Sequence, residues 1–139
     1  MANDVPVPSA HEDLVALTLE AIVDLAPGGD ERAPGAAVTQ ALCGELAGAA
    51  PAWEHSGPCR WPHNTAVAAR AGTTLTVRVV AVCPSADQAY VQRLVDQTLA
   101  AGSLVGPTGH SEWMLLHAGP ALPRPDERAL AERLAATAP

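Results

Sequence analysis

The run T-T-L-T-V-R-V-V-A-V-C, residues 73–83, limits the fold more than any other stretch of the chain. Leu75, Val77, Val79, Ala81 and Cys83 recur at every second position, and Thr74, Thr76 and Arg78 take positions between them. A period of two puts the first set on one face of a β-strand and the second on the other. Val80 and Val82 then make the far end apolar on both faces, as expected of a strand inside a sheet. The preceding run T-A-V-A-A-R (65–70) is joined to it through Ala71–Gly72, so the pair reads as a β-hairpin.

Helical patterns flank the hairpin. Ser9 and Glu12 have the spacing of a capping box. Leu14, Leu17, Ala21, Ile22 and Leu25 follow at helical intervals, predicting a first helix that ends at Pro27-Gly28-Gly29. Val38, Leu42 and Leu46 predict a second helix over residues 35–49, with Leu42 and Cys43 inward and Pro51 as its stop. After the hairpin, Ser85 and Gln88 repeat the capping-box spacing. Tyr90, Val91, Leu94, Val95 and Leu99 form an apolar stripe, and Gly102 suits a C-terminal cap. E-W-M-L-L-H (112–117) reads as a short strand, and residues 126–136 as a thin last helix with Leu130 and Leu134 inward.

The resulting order, ααββαβα, predicts an α+β two-layer sandwich: a small, mainly antiparallel sheet of three or four strands covered by helices. Residues 1–8, with Pro6 and Pro8, read as a flexible N-terminal arm, and residues 9–137 as a single domain. A chain of 139 residues supports one hydrophobic core rather than two.

Composition narrows the partners. The net charge is −7 and all eight basic residues are scattered arginines. Binding to a phosphate backbone needs clustered positive charge, so neither nucleic acid nor an anionic membrane is expected. No apolar run approaches the roughly 20 residues of a membrane helix. The acidic start M-A-N-D-V-P-V-P lacks the positive and apolar regions of an export signal, which predicts a cytoplasmic address. Phe and Lys are absent while Ala, Val, Leu, Gly, Pro and Arg abound, a bias that matches a GC-rich bacterial genome. With aromatics at 3%, the three tryptophans are valuable packing volume.

Chemistry-bearing residues concentrate in W-E-H-S-G-P-C-R-W-P-H-N, residues 53–64. Gly57, Pro58 and Pro62 exclude a continuous helix, so the even spacing of His55, Cys59 and His63 imposes no common target. Those three, with His110 or His117 as a fourth, are the candidate ligands for a transition metal such as zinc. The favoured alternative is a structural loop in which Trp53 and Trp61 plug the edge of the core. Cys59 with His55 or His63 could equally act as a nucleophile–base pair. Cys83 ends a strand, and the next helix opens just beyond Pro84, where a helix N-terminus would stabilise a thiolate; its apolar strand face favours core filler. Three widely spaced cysteines without C-x-x-C predict neither a disulfide framework nor a structural zinc site. The carboxylates show no pairing beyond a solvated face, and no phosphate loop or G-x-S-x-G elbow is present.

The expectation is therefore a small binding or assembly module that meets a protein partner, a second copy of itself or a small molecule. Its recognition edge would combine loop 53–64 and strand 110–117, with Trp53, His55, Arg60, Trp61 and Trp113 as binding residues. The alternative is a metal- or thiol-dependent enzyme, with Cys59, His63 or Cys83 as catalytic candidates.

Overall fold

The computed structural model describes residues 13–43, 61–106 and 109–138. Its elements are strand β1 (Leu14–Leu25), helix α1 (Ala33–Cys43), strands β2 (His63–Ala71) and β3 (Thr74–Pro84), helix α2 (Gln88–Ala101), strands β4 (Ser103–Gly106) and β5 (Gly109–Pro120), and helix α3 (Pro125–Ala136). The five strands form one antiparallel sheet in the order β2-β3-β1-β5-β4, curled into a half-barrel. Helices α1 and α2 pack together in the hollow, where α1 meets both β2 and β4 near the two edges. Helix α3 rests on β3 and β1 from the outer side.

This corrects the expected ααββαβα sandwich with three or four strands. The largest change is the segment 14–25, a central strand rather than a helix. Leu17, Leu19, Ala21, Val23 and Leu25 alternate strictly and are all buried. Thr18, Glu20, Ile22 and Asp24 face the other way. The helical spacing of Leu14, Leu17, Ala21 and Leu25 is also present, but β-branched Val15, Thr18, Ile22 and Val23 favour the strand. The proposed Ser9–Glu12 cap lies outside the described residues. The second correction is β4, four residues long and too short to show a period.

Other elements follow the sequence closely. Strand β3 presents Leu75, Val77, Val79, Ala81 and Cys83 inward, each at most 1% exposed. Burial of an aliphatic side chain of this size contributes about 1.5–3 kcal/mol. Val80 and Val82 are buried on the opposite face. Helix α1 follows the Val38–Leu42 periodicity, and the remainder of the predicted 35–49 helix lies outside the described residues. Helix α2 buries Val91, Val95 and Leu99 and ends at Gly102, whose φ of 70° supplies the left-handed cap. A Cβ at position 102 would collide with the Trp113 carbonyl oxygen. The Ser85–Gln88 box does not form: a single 3-10 turn over Ser85–Asp87 leads into α2 without a side-chain cap.

Two tryptophans hold the two ends of α2. Trp61 Nε1 donates to Asp87 Oδ2 at 3.1 Å, and its ring lies 5.6 Å from that of Tyr90. Trp113 Nε1 donates to the Leu99 carbonyl at 2.8 Å, while its backbone N–H bonds Gly102 O at 2.9 Å. Both rings are buried, at 5% and 6% exposure. In a core this poor in aromatics they supply volume and a hydrogen-bonding tip at once.

Candidate functional site

The tryptophan-rich segment is described only from residue 61 onward, so Trp53, His55, Cys59 and Arg60 lie outside the described residues. His63 opens β2 and is buried. Its Nδ1 lies 3.0 Å from the Trp61 carbonyl oxygen and its Nε2 lies 3.1 Å from Thr39 Oγ1. A carbonyl only accepts, so Nδ1 carries a proton; in the neutral ring Nε2 then accepts from the threonine hydroxyl. That arrangement ties β2 to α1 and occupies both ring nitrogens.

His110 and His117 sit on β5, which β3 and β1 separate from β2 in the sheet. Three strand spacings amount to about 14 Å, too far for His63 and the β5 histidines to share an ion. Among the described residues, no three His, Cys, Asp or Glu side chains group closely enough to hold a metal. His110 instead approaches Glu112 on its own strand at 3.9 Å, with both side chains exposed.

Of the cysteines, Cys83 is free and buried. Burial, followed by the nearby Asp87 carboxylate, pushes its thiol up to about 11. The position just before a helix therefore yields a protonated, enclosed sulfur rather than a thiolate. Cys43, buried at the end of α1, is disulfide-bonded, where the cysteine spacing predicted no disulfide framework.

The strongest electrostatic feature was missed in the sequence. Arg78, the single charge on β3, is 7% exposed and wholly engaged. Its Nε and Nη2 donate to both oxygens of Glu127 on α3, at 2.7 and 2.8 Å. Nη1 donates to Glu20 on β1 at 2.6 Å, and Nη2 also reaches the Leu122 carbonyl at 2.9 Å. The Arg78 hydrogen bonds, aided by a backbone bond from Arg124, hold the Glu127 carboxyl down to about 2. Pairing with Glu127 and Glu20 raises the already high Arg78 value, against the opposing effect of burial. The signal was available: an arginine in the middle of an apolar strand needs a buried counter-charge. This clamp fixes α3 over the β3–β1 part of the outer face.

The rest of that face has no such cover among the described residues. Five large apolar side chains are exposed there and elsewhere: Tyr90, Val105, Met114, Leu116 and Leu122. Four of them fall within residues 105–122. Strand register explains the placement. Trp113 and Leu115 point inward beside Leu25 and Val23, so Met114, opposite Asp24, must point outward. A bulge at Ile22/Val23 then turns Leu116 and His117 outward in succession. Val105, across from His110, continues the same face onto β4. Met114 is 66% and Leu116 54% exposed.

One recess of about 250 Å³ between α3, β1 and α2 includes Thr18, Gln92 and Arg128, below the roughly 300–1,000 Å³ usual for small-molecule sites. A second, of about 600 Å³ but open to solvent, lies between α1, the end of α2 and β4 and includes Gln40, Thr98 and Leu104. No family model, curated protein or solved structure matches this chain.

Proposed function

We propose that this domain is a binding or assembly module that meets a protein partner through the outer face of β4 and β5. The observation that carries this reading is the exposure of Met114 and Leu116 side by side on one open sheet face, beside the half sealed by α3. Contiguous apolar surface rimmed by polar groups marks protein contact sites. Here the rim is Glu112, His117 and Asp24, with His110 and Val105 further along the same face. Trp113 supports the site from beneath by fixing β5 to α2, and Trp61 does the same work at the other end of that helix. The segment 53–60 belongs to the proposal as a second contact region, with Trp53, His55 and Arg60 its candidate anchors.

No helix among the described residues is long and apolar enough to cross a membrane. The expected cytoplasmic setting sits less well with oxidised Cys43, because reducing compartments keep such bonds rare.

The test is a photo-crosslinking benzoylphenylalanine placed at position 114, with a control at exposed Ala129 on α3. The expected result is a discrete adduct from position 114 alone, identified by mass spectrometry and lost on Leu116→Glu. No adduct, or the same adducts from both positions, would overturn the reading.

A further inference from the structure

We infer that the partner on this face is a second copy of the chain, docked sheet to sheet about a two-fold axis that passes by Met114. The inference rests on the reading above and adds the identity of the occupant. The argument comes from the spacing of charge along β5. Measured against β1, Met114 lies opposite Asp24 and His117 opposite Ile22, while Glu112 accepts the Ala26 N–H through its carbonyl. The bulge absorbs one residue, so Glu112 and His117 stand equally far from Met114. Each is two strand positions away, about 6.6 Å.

A two-fold axis across the strands at Met114 reverses the strand direction. It therefore lays the Glu112 of one copy over the His117 of the other, and the reverse. Both contacts pair an imidazole N–H donor with a carboxylate acceptor. Met114 meets its own counterpart on the axis, with Leu116 packing beside it. Self-complementarity of this kind is what an isologous interface requires. A two-fold axis running along the strands would instead stack Glu112 on Glu112, which like-charge repulsion opposes.

Asp24, paired with Met114 across the sheet, lies on the proposed axis and comes to face its own counterpart there, so its carboxylate must be turned aside. Its carboxylate accepts from Thr73 Oγ1 at 2.5 Å, on the β3 side of β1 and away from β5. Glu20, further along the same strand, is committed to Arg78. The patch therefore offers a partner its apolar centre and one donor–acceptor pair on each flank.

Sedimentation velocity of the full chain, from about 5 to about 500 µM, reads the association directly. The expected result is a reversible dimer of the 14.2 kDa chain, with a dissociation constant in the micromolar range. Met114→Asp should leave only monomer. Glu112→Arg and His117→Glu should each weaken the dimer about tenfold, by placing like or mismatched groups together. The double variant E112R/H117E exchanges the two groups and should return to within about threefold of the parent. Far-ultraviolet circular dichroism checks that each variant is folded.

A chain that stays monomeric throughout refutes the second copy. If the position-114 crosslinker then captures a different polypeptide, the binding face stands and only its occupant is wrong. If it captures nothing, both fall. A dimer indifferent to Met114→Asp, or one that the charge exchange fails to restore, refutes the proposed axis.

Discussion

The outer face of the sheet has two halves built from the same kind of strand and finished in opposite ways. Over β3 and β1, Val80 and Val82 are buried and Arg78 grips α3 through Glu127. Over β5 and β4, Met114, Leu116 and Val105 carry comparable apolar surface but stand in solvent. The contrast shows that this chain can cover an apolar sheet face, and among the described residues does so with a dedicated helix on one half only. The half left open is the one we propose as a binding face.

The comparison breaks first at Arg78. Arg78→Ala leaves two carboxylates facing each other beneath α3 and should cost about 3–5 kcal/mol, measured by urea unfolding. Amide exchange should show α3 losing protection before the strands do. If α3 stays protected, apolar packing and not the ion cluster seals that half.

Adjacent residues on β5 sharpen the contrast. Trp113→Ala removes a buried ring and its bond to Leu99, and should also cost about 3–5 kcal/mol. Its neighbour Met114→Ser should change the stability of the monomer by less than about 0.5 kcal/mol. Equal losses at the two positions would mean that Met114 is covered within the monomer.

An intermediate effect is expected at Glu127. Its folded value of about 2 lies below the ordinary Glu value of about 4.3, so its contribution is present above the ordinary value and is lost as pH falls towards 2. Glu127→Gln should cost about 2 kcal/mol at neutral pH. It should also flatten the fall in stability between about pH 5 and pH 2, followed by thermal unfolding. A parallel curve for the variant would remove Glu127 from the acid response.

How far the sequence revealed these halves depends on the distance over which each residue acts. The β2–β3 hairpin, α2 with its Gly102 cap, the strand around Trp113 and α3 were legible, because their periods and stop signals are local. Strand β1 was not. Leu17 and Leu25 satisfy a helical and a strand period together, and the burial that decides between them comes from β3 and β5. The sheet was therefore undercounted. The Arg78–Glu127 contact joins residues far apart in the chain, and only the oddity of a lone arginine among valines hinted at it. For the candidate site, composition singled out residues 53–64 and 110–117. It could not assign faces, because the bulge that turns Leu116 and His117 outward has no sequence signature. Trp113 was expected as a contact residue and lies beneath the surface that its neighbour Met114 displays.

The central place of β1 carries a cost during synthesis. It is the first described element to leave the ribosome, yet its two neighbours are residues 74–84 and 113–120. Until those emerge, an apolar ribbon waits with both edges open, the condition that invites pairing with other nascent chains. Such distant pairings also make folding slow. Yield of the intact protein should thus respond to chaperone supply and growth temperature more steeply than its final stability would suggest.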